Sequence, residues 1–315
     1  MTAVARDGIQ PIAPIASPAA APAVHAWMPV SPCVTGCVAH RPEIGVVRAG
    51  FRAAGAISVL LAYPFAHIVT PPSRRSGVQR RFAHTLLRAC GIRLRVVDRR
   101  GGAVPTRPRF AAPDTGVLVA CGHIGWADIV VLAAVQPLAF VARADLIDWP
   151  LLGRLARVMR VVPIERERLR DLPEVVAQVG ARLTAGERIG FFPEGTTWCG
   201  RAYGTLRPAL FQAAVDTGVP VQPVRLRYLG AHGDRSTIPG FVGDDTLVGS
   251  IARVLRARGL TAEVVLAPVE PAGADRKDLA RRCERAVRQE ELSDSAHAVL
   301  AAAGRQLSAA AAVSA

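Results

Sequence analysis

Short apolar runs of strand length alternate with segments of helical period along most of this 315-residue chain, which predicts an α/β fold with a mixed sheet flanked by helices. Half of the residues are hydrophobic and a fifth are charged, so the chain can bury a substantial core without disulfides or metal. A basic apolar stretch ahead of the alternating region adds an N-terminal membrane-associating helical segment to this fold class.

Residues 1–40 mix Pro, Ala and Ser without periodicity and are expected to form a disordered tail, dispensable for activity. Cys33, Cys37 and His40 lie in this tail. They supply three ligands at most, with no second pair nearby, so no metal is expected. The six cysteines show no framework of regular spacing, and no cleavable signal peptide opens the chain; both point to a reducing, cytosolic-side protein.

Residues 41–100 form the basic membrane-associating segment. The net charge of +14 is concentrated near it, with fourteen Arg against two acidic residues in 41–110. The apolar run at 53–69 (AAGAISVLLAYPFAHIV) has Arg48 and Arg52 before it and Arg74, Arg75, Arg80 and Arg81 after it. Seventeen residues is a marginal length for a span, Pro64 and His67 interrupt the run, and arginines at both ends set no orientation. A short re-entrant or interfacial anchor among anionic headgroups is the expectation, with a buried core helix as the alternative.

The α/β domain is expected over residues 101–292. A helix at 78–90 precedes it, with Phe82, Leu86 and Leu87 on one face and Gly91 as its C-terminal cap. Strands are predicted at 116–121, 138–142, 161–164, 188–192, 219–228 and 263–267. A helix is predicted at 171–184, where Asp171 can cap, Val175, Val176, Val179 and Leu183 share a face, and Gly186 follows the end. A charged helix at 275–291 closes the domain, and residues 293–315 form an Ala-rich tail.

Three constellations carry possible chemistry. Gly122-His123-Ile124-Gly125-Trp126-Ala127-Asp128 follows an apolar strand, at the strand end where α/β folds place their sites. If the chain turns into a helix at Asp128, that carboxylate can return to the imidazole, fix its tautomer and leave the other nitrogen as a general base. The same residues would otherwise serve as ordinary caps. Phe191-Phe192-Pro193-Glu194-Gly195-Thr196-Thr197 also follows a strand and forms a polar turn able to hold an anion. Pro163-Ile164-Glu165-Arg166 places an arginine beyond a strand, where it can grip a phosphate or belong to a solvated charge run.

In this order, G-H-x4-D, a strand ending in Arg, F-P-E-G-T-T and V-P-V-x-P-V resemble the blocks of the glycerolipid acyltransferases of the lysophosphatidic acid acyltransferase family, in their bacterial membrane-associated branch. The resemblance covers residues 48–230. It implies a general base at His123 oriented by Asp128, and an acceptor phosphate or glycerol site at Arg166, Glu194, Gly195, Thr196 and Thr197. Pro220 and Pro223 would support the acyl-donor side of the pocket. The implied reaction moves a fatty acyl group from acyl-CoA or acyl carrier protein to the hydroxyl of a lysophospholipid, 1-acyl-sn-glycerol-3-phosphate first; another lysolipid such as lyso-ornithine lipid is the alternative acceptor. It takes place at the cytoplasmic face of the membrane with no cofactor. Gly122 and Gly125 replace the family's frequent Asn and Ser, Arg143-Ala144-Asp145-Leu146 replaces Lys-x-Glu-Leu, and Arg160 stands where a Gly is common; these departures leave the His–Asp pair intact.

Several other chemistries are disfavoured. A single lysine, Lys277, argues against Walker or Schiff-base chemistry, and no G-x-S-x-G elbow is present. Cys121 and Cys199 leave a cysteine-based transfer open as a lesser alternative. A non-catalytic basic binding protein is the different-class alternative. Aromatics at 5%, without Phe, Tyr or Trp interleaved among the arginines, argue against nucleic acid as the partner and for anionic lipid.

Overall fold

The computed structural model describes residues 29–38, 44–101, 107–147, 153, 159–165 and 168–288. In chain order its principal elements are α1 (Val46–Val69), α2 (Pro72–Ala89), β1 (Arg93–Asp98), β2 (Val117–Cys121), α3 (Ala127–Val135), β3 (Ala139–Arg143) and β4 (Val162–Ile164). There follow α4 (Leu172–Thr184), β5 (Arg188–Phe191), α5 (Gln212–Thr217), β6 (Val221–Leu229), α6 (Leu247–Arg256), β7 (Thr261–Leu266) and α7 (Arg276–Arg288).

The strands form one mixed sheet in the order β1-β7-β6-β2-β5-β3-β4, and among the described residues β6 against β7 is its one antiparallel junction. Strand β2 lies mid-sheet between β5 and β6 and is buried throughout. Its side chains alternate between two cores, as the strand period requires. Val119 and Cys121 face a cluster built with α1, α2, α3 and α6, while Leu118 and Ala120 face one built with α4, α5 and α7. The architecture is therefore helix, sheet, helix.

Pro223 in β6 has no N–H to give the ladder. It sits opposite Ala267, just past the end of β7, and the fully buried Gln222 amide donates to the Ala267 carbonyl at 2.7 Å. That amide also reaches the Pro223 carbonyl at 2.9 Å.

Strand β1 and helices α5 and α6 have no counterpart in the sequence reading. Arg93 and Arg95 alternate outward along β1, an edge strand, and such charge protects an edge while masking the strand signal. Asp171 does not cap α4: its backbone is already helical and its side chain accepts no capping bond. Gly91 does end α2, with φ +79° and its N–H donated to Arg88.

Helix α1 runs through Pro64 and His67 without a break. At 24 residues it is long and apolar enough to cross a membrane. The core-helix alternative fails, because Ile57, Leu61, Phe65 and Ile68 are exposed, Phe65 by 73%. The opposite side packs on α2, where Tyr63 meets Phe82 at 5.3 Å between ring centroids.

The flanking arginines are not all available to headgroups. Arg52 donates to the Leu255 and Ala257 carbonyls at 2.9 and 2.6 Å, closing the end of α6. Arg80 does the same for α3 through Ala134 at 3.0 Å, and Arg75 reaches the Thr70 carbonyl after α1 at 3.0 Å. A guanidinium suits such helix ends because unpaired carbonyls and the negative end of the dipole coincide there.

Residues 29–38 belong to the fold, in contrast to the tail expected over 1–40. Cys33 and Val38 are buried with Trp198, Cys199, Ala202 and Val242 in a small third cluster. The remainder of that expected tail, including His40, and the whole of 293–315 lie outside the described residues.

Arg52→Ala should lower unfolding stability by about 1–3 kcal/mol, since it strips two carbonyls of a charged donor. Arg48→Ala, exposed on the same helix, should change it by less than about 0.5 kcal/mol. Denaturant melts of the two variants beside wild type check both values.

Candidate active site

The site forms where three neighbouring strands end. The loop after β2 carries His123, the loop after β5 carries Glu194, and β6 runs alongside with Arg225 and Tyr228. Because β2 has β5 on one side and β6 on the other, residues about 70 and 100 positions apart meet at one crevice.

Asp128, in the first turn of α3, is fully buried. Its Oδ2 takes the His123 Nδ1 at 2.9 Å and the backbone N–H groups of Ile124 and Gly125 at 2.6 and 3.0 Å. Its Oδ1 accepts the Tyr228 hydroxyl at 2.8 Å. Both carboxylate oxygens are thereby satisfied by donors. The Tyr228 hydroxyl is held well above the ordinary phenol range, by burial first and by the Asp128 charge second, so it remains a donor. With Nδ1 engaged, Nε2 is the imidazole nitrogen left for chemistry. The ring stacks on Phe192 with centroids 3.9 Å apart and planes 10° from parallel.

Glu194 is also buried, 3% exposed. Its Oε2 accepts the His123 backbone N–H at 2.7 Å, and its Oε1 accepts from Gly204 N–H at 3.2 Å and Arg288 Nη2 at 3.4 Å. Burial raises its carboxyl to about 7, against the opposing pull of Arg288 and of the two N–H groups. A carboxyl so placed supports the loop that carries His123.

The Gly195 N–H returns to Phe192 at 3.0 Å; its φ is +73°, and its lack of a Cβ leaves room for Pro29 of the N-terminal segment. Thr196 is half-buried, and Thr197 donates its hydroxyl to the Phe241 carbonyl. Trp198 N–H holds the His123 carbonyl at 2.8 Å, and Phe241 N–H holds that of Ile124 at 2.9 Å.

This clamp explains a departure noted in the sequence. A Cβ on Gly125 would strike the Pro239 carbonyl oxygen, whereas one on Gly122 would meet Glu194 only in ordinary contact, at 3.6 Å. Pro220 and Pro223 lie beside β2, their carbonyls accepting from Leu118 and Ala267. Arg166 lies outside the described residues.

A cavity opens beside the imidazole, lined by Gly122, His123, Glu194, Tyr203, Arg225 and Arg288 among others. Arg225 and Arg288 have no counterpart among the site residues expected from sequence. The one available signal is the position of Arg225 within an apolar strand that also holds a buried Gln222. Arg288 comes from the distant α7 and stacks over Tyr203 at 5.0 Å. Cysteine chemistry loses support, because Cys121 is buried in the core and its thiol is pushed well above the usual range by that burial.

A family model described as Acyltransferase matches residues 104–227. The chain is 34% identical over 195 residues to a 1-acyl-sn-glycerol-3-phosphate acyltransferase of Neisseria gonorrhoeae, covering 61% of this chain and 76% of that one. It is 31% identical over 266 residues to a lyso-ornithine lipid O-acyltransferase of Brucella abortus, covering 78% and 94%.

The chain belongs to the acyltransferase family.

In fold, this acyltransferase resembles the crystal structure of the 1-acyl-sn-glycerophosphate acyltransferase of Thermotoga maritima. The TM-score is 0.54 at 16% identity, with 78% of this chain and 93% of that one covered. The matched family region contains β2 to β5 and most of β6, and with them both carboxylates that hold the His123 loop. Arg288 falls beyond it.

His123→Ala and Asp128→Asn should abolish acyl transfer while leaving the circular dichroism spectrum unchanged. Tyr228→Phe should lower kcat by about tenfold, the equivalent of one buried hydrogen bond. Glu194 generates a stability effect of definite sign. Its carboxyl titrates near 7 when folded against an ordinary 4.5, so the unfolded chain binds fewer protons between those values and stability falls as pH rises through that window. Glu194→Gln should remove this slope in thermal melts run from about pH 4.5 to about pH 7.5.

Proposed function

We propose that this acyltransferase transfers a fatty acyl group from an acyl thioester, acyl-CoA or acyl carrier protein, to the hydroxyl of a lysophospholipid at the cytoplasmic face of the membrane. The preferred acceptor is 1-acyl-sn-glycerol-3-phosphate. The observation that carries this reading is an imidazole fixed through Nδ1 by a buried aspartate, beside a cavity that presents two arginines.

His123 Nε2 takes the proton of the acceptor hydroxyl as its oxygen attacks the thioester carbonyl. Asp128 stabilises the imidazolium that forms. The tetrahedral intermediate then collapses, the C–S bond breaks, and the imidazolium returns its proton to the departing thiolate. A thioester is already activated, so positioning and electrostatics suffice and no cofactor is invoked.

Arg225 and Arg288 supply positive charge for the acceptor's anionic end, with Arg166 as a further contact and Thr196 and Thr197 shaping the turn beside it. Glu194 lines the same cavity and holds the His123 backbone in place. Pro220 and Pro223 set the wall of the pocket along β6. Helix α1 buries its apolar face at the membrane, where exposed arginines meet anionic lipid.

A lyso-ornithine lipid acceptor is the second reading, favoured by the Brucella abortus relative and by one of Pseudomonas aeruginosa, 35% identical over 189 residues and covering 59% of this chain and 72% of that one. The same arginines would then hold a carboxylate. Among the described residues, the only acidic side chain lining the cavity is Glu194, which is already engaged by Arg288 and so offers little to the acceptor's ammonium group. This favours phosphate.

Purified protein assayed with both donors against a panel of lysolipids should acylate lysophosphatidate fastest. Arg225→Gln should raise KM for that acceptor by about tenfold with a smaller change in kcat. His123-dependent product with lyso-ornithine lipid alone would replace the acceptor and retain the mechanism.

A further inference from the structure

The small cluster that ties residues 29–38 to the fold contains three thiols. Cys33 and Cys37 flank a single tight turn, in which Cys37 N–H donates to Val34 at 2.9 Å and Val38 N–H to Thr35 at 3.0 Å. Cys199 comes from the loop after β5, next to the Trp198 that holds the His123 carbonyl. The three Sγ atoms all lie within 4.8 Å of one another. Cys33 and Cys199 are buried and Cys37 is half-exposed.

The backbone is shaped for this meeting. Gly243 adopts φ +60°, and a Cβ there would crowd Val34 and the Thr35 nitrogen at 3.2 Å. Gly240 lets Val38 and the Cys199 backbone approach, at 3.3 and 3.5 Å from where its Cβ would stand.

We infer that Cys33, Cys37 and Cys199 form a zinc site that fastens the N-terminal segment onto the active-site loop. Zn–S bonds of about 2.3 Å in tetrahedral array place sulfurs about 3.8 Å apart, so the trio closes on a metal by moving about 1 Å. Three soft thiolates select a thiophilic ion such as Zn²⁺ over Mg²⁺ or Ca²⁺. Binding displaces one proton from each thiol, and the fourth tetrahedral position is open to an external ligand such as water.

Without metal, the cluster has only six buried residues among those described, a small apolar contribution for fixing a segment that also abuts Gly195 through Pro29. A metal clip supplies what that core lacks. It acts at Trp198 and Cys199, one hydrogen bond away from His123. This inference does not depend on which acceptor the enzyme uses.

The test uses the full chain purified without chelators, under reducing conditions, from cells supplied with zinc. Elemental analysis should find about one zinc per chain, falling at least fivefold in Cys37→Ser and Cys199→Ser and unchanged in Cys283→Ala, whose thiol lies in the opposite core. Cobalt added to apo wild type should produce thiolate charge-transfer absorption and tetrahedral visible bands, a readout that needs no variant to fold. Three outcomes would overturn the site: no stoichiometric metal and no cobalt spectrum in wild type, zinc retained at wild-type level in both serine variants, or a disulfide joining two of the three cysteines in protein isolated without reductant.

Discussion

A carboxylate taken fully out of water must find donors for its lone pairs or cease to be charged, and Asp128 meets that demand in a way that dictates much of the surrounding fold. Two donors are consecutive N–H groups of its own loop, so the chain must coil tightly between β2 and α3. A third is the imidazole, whose ring direction is thereby set. The fourth is Tyr228 from β6, which must lie at the correct register beside β2 for its hydroxyl to arrive. The position of Asp128 in the first turn of α3 adds a favourable helix dipole. The interaction that fixes the imidazole is thus also a structural bond between loop, helix and sheet.

Glu194 approaches the same loop from the other side, and the two acids divide the work. Asp128 holds the His123 ring and the N–H groups that follow it; Glu194 holds the N–H of His123 itself. The burial of Glu194 is tolerated because Arg288 brings a countercharge from the last helix described, 94 residues away in sequence. The geometry of the loop after β2 therefore depends on how α7 docks. An acid lining the cavity wall and already paired in this way leaves the arginine side of the cavity as its dominant electrostatic feature.

The readable parts of this chain are those where local signals and tertiary demands agree. The six predicted strands lie in the fold because each is a short apolar run, buried throughout in β2 and at least in part in the others, and Gly91 and Gly186 stop their helices at φ near +80°. The H-x4-D spacing is informative because both residues sit in one short loop. Charge hides β1, whose outward arginines belong to a sheet edge. Long-range pairing hides Tyr228, Arg288 and the association of Cys199 with Cys33 and Cys37, since no spacing rule links positions so far apart. The N-terminal segment misleads for the same reason: its Pro and Ala content resembles a tail, and its anchor points lie in loops more than 150 residues downstream.

The basic block shows most plainly how structure redistributes a compositional signal. Fourteen arginines between 41 and 110 invite a reading in which each is a headgroup contact. Yet Arg52, Arg75 and Arg80 close helix ends, Arg100 grips Asp98 at 2.5 Å and Arg95 pairs with the buried Glu263. Of those on α1 and α2, Arg48, Arg74, Arg81 and Arg88 are exposed. At about 1 kcal/mol for each basic residue near an anionic surface, four such charges could supplement membrane binding without dominating it. The exposed Ile57, Leu61, Phe65 and Ile68 on α1 contribute more, at about 1.5–3 kcal/mol for each side chain fully buried. What α1 offers a membrane is accordingly led by its apolar side chains, while Arg52 is spent on tying α1 to the end of α6.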